Sequence, residues 1–205
     1  MGQFMARLRS SISMTPRFSD GWRYSPEETA AMVRAAYEYR VFVKGGGTFK
    51  STPEIEDNIR KAAQWLGHGR SLGLVLNGGL GNGKTTLAKA LGDTLRILRN
   101  IYPEMVAAQD YVRWYQREDE RADSAMRSKF LMLDDIGTEA VSVKSYGTEY
   151  TPVIELLYKR YDTDKPTIVT TNLTREQFYK TYGPRVADRM KQMYSWLSFN
   201  GESFR

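Results

Sequence analysis

The residues of this chain with the plainest chemical purpose lie together between positions 78 and 86. Gly78-Gly79-Leu80-Gly81-Asn82-Gly83-Lys84-Thr85 fits the spacing G-x-x-x-x-G-K-[ST], in which each residue type has a physical task. Glycines let successive backbone N–H groups turn inward around a β-phosphate with no side chain in the way, and a helix starting at Lys84 adds its positive end. Gly78, Gly79, Gly81, Asn82 and Gly83 would then form the cradle, Lys84 would reach the β and γ phosphates, and the Thr85 hydroxyl would ligate Mg²⁺. Thr86 would support the helix start. A glycine-rich turn without function is the plainer reading, and the surroundings disfavour it. Leu72 to Asn77 is apolar enough for a buried strand, and a helical pattern runs from Lys84 to near Asn100.

Two further strand ends carry polar groups suited to the far side of such a cradle. Phe130-Leu131-Met132-Leu133-Asp134-Asp135 is an apolar strand closing on two carboxylates. Asp134 would hold Mg²⁺ through water and Asp135 would orient or deprotonate an attacking water. An Asp-Asp pair after an apolar run is by itself a solvated turn, but here it closes a strand of the same inferred sheet. Thr167 to Asn172 is a strand ending in an amide, and Asn172 either hydrogen-bonds a γ-phosphate or its water, or merely caps the next helix.

The elements that must position these groups alternate. Ser25-Pro26-Glu27-Glu28 starts a helix from Pro26 to about Val43, Gly45-Gly46-Gly47 breaks it, and Thr52-Pro53-Glu54 opens a second helix ending at Gly67. After Arg70 come strands at Leu72–Asn77, Met105–Ala108, Phe130–Asp134, Thr167–Thr171 and Ser195–Phe199. Helices are expected at Lys84–Asn100, Asp110–Ser128, Pro152–Tyr161, after Thr174 and from Pro184 to Met193, with a Ser-, Thr- and Gly-rich loop before Pro152. Such alternation implies a parallel sheet wrapped by helices, with ligands at the carboxyl ends of its strands.

Composition narrows the field. The chain has 205 residues, 41% of them apolar, with 30 Lys and Arg against 24 Asp and Glu for a net charge of +6. That balance leans toward polyanions, nucleic acid above all. The absence of cysteine excludes disulfides and thiolate zinc sites, and His68 alone makes no metal cluster. No apolar run approaches the roughly 20 residues that span a bilayer, so no membrane partner is expected and a cytoplasmic setting is the simplest. Met1 to Thr15, with Arg7 and Arg9, reads as a basic tail or a faint presequence.

Asn77 to Leu87, Leu133-Asp134-Asp135-Ile136-Gly137, Thr170-Thr171-Asn172 and Tyr182-Gly183-Pro184-Arg185-Val186-Ala187-Asp188-Arg189-Met190 together resemble the AAA+ branch of P-loop ATPases. More narrowly they resemble the DnaC/IstB group of helicase loaders and transposition helpers, over about Phe49 to Arg205. The resemblance implies ATP and Mg²⁺ as cofactors and residues 49–205 as an AAA+ domain without a C-terminal helical lid, and residues 1–48, which mix basic and apolar side chains, are expected to be a short helical, partly disordered extension that docks a partner. Phe4, Arg7, Arg9, Phe18, Trp22 and Tyr24 are that extension's candidates. The resemblance also implies that Arg189, or Arg185 one turn earlier, completes the ATP site of a neighbouring subunit in a head-to-tail oligomer. Family members often have Asp-Glu where this chain has Asp134-Asp135, which implies slow hydrolysis. The family's zinc-binding amino-terminal region has no counterpart here, so no helicase contact carries over.

Tyr111, Arg113, Trp114, Tyr115 and Arg117 interleave aromatic and basic side chains, either to stack on single-stranded DNA or because Tyr111 and Trp114 are core. The loop Thr138 to Tyr150, with Lys144 and Tyr146, is the other DNA candidate. The leading expectation is an ATPase that binds single-stranded DNA and a replicative helicase. A transposase-binding helper is the rival within the group, a nucleoside or nucleotide kinase the rival enzyme, and a non-hydrolysing DNA-binding switch the third class.

Overall fold

Local capping sets the starts of several helices. In this computed structural model, which describes residues 19–45, 49–69, 71–145 and 147–200, Ser25 and Glu28 exchange backbone-to-side-chain hydrogen bonds of 2.8 and 3.1 Å at the head of the first helix. Thr174 and Gln177 make the same reciprocal box further on, and Thr52 caps the second helix. Expectations placed on residues 1–18, Gly46, Gly47, Arg70, Tyr146 and 201–205 lie outside the described residues.

In chain order the elements are α1 (Pro26–Gly45), α2 (Pro53–His68), β1 (Gly73–Gly78), α3 (Lys84–Arg99), β2 (Glu104–Ala107), α4 (Ala108–Gln116), α5 (Glu120–Arg127), β3 (Leu131–Ile136), β4 (Val143–Ser145), β5 (Thr148–Tyr150), α6 (Pro152–Asp162), β6 (Thr167–Thr171), α7 (Arg175–Tyr182), α8 (Pro184–Met193) and β7 (Tyr194–Phe199). The main sheet is ordered β2-β3-β6-β1-β7 and every pair in it is parallel. β1 therefore lies between the last two strands of the chain, and the carboxyl ends of β1, β6 and β3 stand side by side.

Strand side chains alternate between two cores. Leu74, Leu76, Met132 and Ile168 pack with α1, α2 and α3, against Ile59, Leu66, Leu87 and Leu91. Val75, Leu131, Leu133 and Val169 face the other layer, where Tyr111, Leu157, Phe178 and Met190 meet them. Strands covered on both faces read as continuous apolar runs, which is why alternation is weak in their sequences. α1 shares the first core: Val33 and Tyr37 are buried there. Arg34 pairs with Glu56 at 2.9 Å, and Arg40 makes two hydrogen bonds of 2.5 and 2.6 Å to Asp93. The division expected near residue 48 does not coincide with a break in packing.

The single helix expected over Asp110–Ser128 is two, because the chain turns at Arg117–Asp119 with Glu118 at φ +53°. The loop expected before Pro152 contains an antiparallel hairpin pairing Val143 with Tyr150. Arg160 is fully buried. Its guanidinium donates to the carbonyls of Ala125, Met126, Ser128 and Pro166 and to the Thr167 hydroxyl, tying the end of α5 to the starts of β3 and β6. Burial pulls its pKa down to about 10, so it is charged at neutral pH. Among the described residues no helix is long and apolar enough to cross a membrane.

Candidate nucleotide site

β1 delivers the chain to Gly78, where a left-handed turn begins that only glycine fits: φ is +149°, and a Cβ there would lie 2.2 Å from the Phe199 carbonyl oxygen. Gly81 and Gly83 also have positive φ, at +81° and +89°. Gly79 lies between Gly78 and Gly81 in the same loop, and Asn82 anchors the loop by donating to the Phe199 carbonyl at 3.3 Å. Lys84 is buried, and its ammonium donates to the carbonyls of Gly78 and Gly79 at 2.8 and 2.5 Å. A buried ammonium folded inside a ring of backbone is placed to meet an anion entering that ring. Thr86 sits half-buried in the first turn of α3.

Thr85 links this loop to β3. Its hydroxyl donates to Asp134 Oδ1 at 2.9 Å, and the same oxygen accepts from the Thr170 hydroxyl of β6 at 2.6 Å. Thr170 in turn accepts from the Asp135 backbone N–H at 2.9 Å. These bonds accompany a break in the β3–β6 register between Leu133 and Ile136, with Asp135 at φ +57°. A carboxylate residue held in that conformation is tolerated because aspartate is among the few side chains that adopt it, and such strain clusters where chemistry is done. Asn172 follows directly on β6. The turn it occupies is held by Thr171, whose hydroxyl donates to the Ile136 carbonyl at 2.6 Å and accepts from the Leu173 N–H at 3.1 Å. The expected members from Gly78 to Thr86, Asp134, Asp135 and Asn172 thus gather at adjacent strand ends.

Beyond the carboxylates the chain is tied down. Gly137 N–H donates to Glu139, the Tyr182 hydroxyl donates to the other oxygen of the same carboxylate, and Gln109 donates to the Thr138 carbonyl at 2.9 Å. Desolvation, with Glu139 alongside, pushes the Tyr182 phenol well above its ordinary range. Sequence reasoning missed Thr170, Gln109, Glu139 and Tyr182 as parts of this region. Thr170 lay inside a motif already singled out, but its pairing depends on which strands are neighbours.

Arg189 lies apart, on α8. Its guanidinium stacks over the Tyr158 ring at 4.2 Å and faces Asp162 at 3.6 Å, both on α6. Of the two readings of Tyr111 the core one holds: it is completely buried, with no surface left to stack on DNA. Ala108, Tyr111, Val112 and Tyr115 share one face of α4 at helical spacing, and that face is the one turned to the core. Trp114 is half-buried beneath Arg121, at 4.9 Å, and Arg113 is engaged by Asp110. Lys144 is exposed on the hairpin.

The residues present suit the expected ligands. Thr85 and Asp134 offer a hydroxyl and a carboxylate side by side, the hard oxygen donors that Mg²⁺ takes together with phosphate oxygens. Comparison with known proteins agrees. The family model for IstB-like ATP binding protein matches residues 61–205. The replicative helicase loader DnaC of Escherichia coli K12 is 28% identical over 159 residues, covering 72% of this chain and 62% of that protein. The chain therefore spans less than two thirds of the length of the curated relatives it matches. A DnaI crystal structure superposes with a TM-score of 0.60 at 22% identity, over 78% of this chain and 89% of that one. A DnaC helicase loader structure gives 0.54 at 21% identity, over 91% and 98%. These likenesses show a P-loop AAA+ fold. With a model match over most of its length and this loop at the end of β1, the chain belongs to the IstB-like ATP-binding protein family.

Proposed function

We propose that this chain is an ATP-hydrolysing replication factor of the helicase-loader type, acting on single-stranded DNA and a replicative helicase. The observation that carries the hydrolysis part is the hydrogen-bonded line Thr85–Asp134–Thr170–Asp135, which fastens the phosphate loop to two carboxylates at one sheet edge. Backbone N–H groups from Gly79 to Thr85 and the Lys84 ammonium bind the phosphates. Thr85 and, through water, Asp134 would hold Mg²⁺, which when bound would supply positive charge to the phosphates. Asp135 takes the proton of the attacking water, and Asn172 orients that water against the γ-phosphate. Arg189 completes the site of a neighbouring copy. Its support is its place on α8, held outward on Tyr158 and Asp162 and not on its own cradle. The helicase partner rests on the likeness to DnaC, a replicative helicase loader, and the polyanion on the net charge of +6.

The test is ATP turnover with and without single-stranded DNA, for wild type, Lys84→Ala, Arg189→Ala and a mixture of the two variants. Lys84→Ala should lose nucleotide binding. Arg189→Ala should keep binding and lose DNA-stimulated turnover, and the mixture should recover part of it because each variant supplies what the other lacks. Turnover by Arg189→Ala equal to wild type sinks the trans-acting role. The family name favours a second reading, a transposition helper whose partner is a transposase. Binding assays with a purified replicative helicase and a purified transposase separate the two.

A further inference from the structure

Tyr37 belongs to α1, in the stretch that sequence reasoning set outside the ATPase domain, yet it lies against the phosphate loop. A Cβ built on Gly83 would meet the Tyr37 hydroxyl oxygen at 2.2 Å. The oxygen therefore sits at the wall of the cradle, next to the residue that precedes Lys84. Tyr37 is 3% exposed. Its ring packs edge to face on Phe49 with centroids 5.5 Å apart, and Arg34 covers the far ring at 5.3 Å. Arg34 and Arg40, three residues to either side, anchor α1 to Glu56 and Asp93. The phenol is thus held in place from both directions.

Its hydroxyl makes no hydrogen bond to the protein among the described residues, and burial alone raises its pKa to about 12. The buried polar atoms without a partner among the described residues are on Asn58, Arg99 and Trp196, so the Tyr37 oxygen is not sealed off and stands open to a group entering beside Gly83. The ring would pack equally well as phenylalanine. What phenylalanine lacks is a donor directed at the cradle.

We infer that Tyr37 is a nucleotide-binding residue whose hydroxyl donates a hydrogen bond to the phosphate chain of the nucleotide held between Gly78 and Thr86. The group stays neutral across the working pH range and so keeps its proton to donate. α1 thereby forms one wall of the site, and nucleotide occupancy is felt by a helix whose opposite side carries the exposed Tyr39 and Phe42. This inference rests on the reading of residues 78–86 as a nucleotide cradle.

The experiment is calorimetric titration of the full chain with Mg-ATP and Mg-ADP, for wild type, Lys84→Ala and Tyr37→Phe, together with thermal melting of each protein without nucleotide. Tyr37→Phe should weaken both nucleotides by about tenfold or more, the worth of a hydrogen bond to a charged group. Its melting without nucleotide should equal or exceed that of wild type, since the hydroxyl it removes is unpaired there. Equal or tighter nucleotide binding by Tyr37→Phe, with wild type binding normally, overturns the inference and leaves the cradle standing. A clear fall in melting without nucleotide, or failure to fold, makes the hydroxyl a structural group and overturns it as well. Wild type that binds neither nucleotide refutes the cradle, and the inference falls with it.

Discussion

Replacing Thr170 by valine removes one oxygen and keeps the shape of the side chain, so its effects can be worked out atom by atom. Thr170 is 2% exposed. Its hydroxyl gives one hydrogen bond to Asp134 and takes one from the Asp135 backbone N–H. In Thr170→Val the Asp135 N–H loses its acceptor, while Asp134 keeps the donor from Thr85. Losing the acceptor of this part-buried N–H costs about 1–3 kcal/mol. With a urea slope of about 2–3 kcal/mol per molar, the midpoint should fall by about 0.3–1.5 M. The larger effect falls on catalysis. Asp135 stands at φ +57° in a register break, and the lost bond is one that holds it there. ATP turnover should drop at least tenfold, about 1.4 kcal/mol in the barrier. Affinity for ATP should change by less than about threefold, because Thr170 touches the carboxylates and not the loop. Thr170→Ser restores the hydroxyl and should recover turnover while remaining less stable by about 1 kcal/mol for its missing methyl. If valine turns over ATP as fast as threonine, Asp135 is held by something else and its proposed role loses its structural basis. A loss of ATP affinity as large as that of Lys84→Ala would refute the division of labour between loop and strands.

Other outcomes follow from the same structure. Arg160→Met should destabilise by at least about 3 kcal/mol in denaturant titration, because it leaves several buried carbonyls without a donor, with ATP affinity of the folded protein unchanged. Gly83→Ala should abolish the thermal shift produced by Mg-ATP, since φ is +89° and the new methyl meets the Tyr37 hydroxyl. Stability should decline with alkali. Burial raises the pKa of Tyr37 to about 12 and pushes those of Tyr111, Tyr182 and Tyr194 further up, against about 10 when unfolded. Above pH 10 the unfolded chain gives up phenolic protons that the native one retains. The stabilisation is thus whole below pH 10 and is lost as pH climbs toward 12, which denaturant titrations from pH 8 to 11 will register.

What could be read along the chain was whatever a single segment determines. Glycines 78, 81 and 83 with Lys84 and Thr85 specify their loop because backbone sterics and the following helix leave little choice. The two carboxylates after Leu133, by themselves a solvated turn, stood out because they close a strand of the same inferred sheet as the loop. The rest needed two segments at once. Thr170 and Asp134 are 36 residues apart and meet because β6 inserts between β1 and β3, an ordering that no local pattern encodes. Tyr111 is the opposite case, for its helical face, from Ala108 to Tyr115, and its aromatic and basic neighbours supported two readings equally, and burial decides for the face. Helical periodicity is therefore the stronger guide when it competes with a compositional signature.

Tyr37 shows a third kind of difficulty. The helix that carries it and the Gly83 loop as a cradle were each readable, but their meeting depends on how α1 packs, which Arg34 and Arg40 help to fix through Glu56 and Asp93. Those four side chains are ordinary surface charges in the sequence. The half-exposed Arg34–Glu56 pair adds little stability, whereas Asp93 is buried and held by two hydrogen bonds from Arg40. Their consequence here is positional, because one pair on each side of Tyr37 keeps its hydroxyl against Gly83. Breaking the Arg40 pair with Arg40→Met should lower the melting temperature, because the buried Asp93 loses its two hydrogen bonds, and should weaken Mg-ATP binding in the same direction as Tyr37→Phe. The double variant should be no weaker than Tyr37→Phe alone if both act through that one hydrogen bond. Additive losses would show that Arg40 reaches the nucleotide by another route.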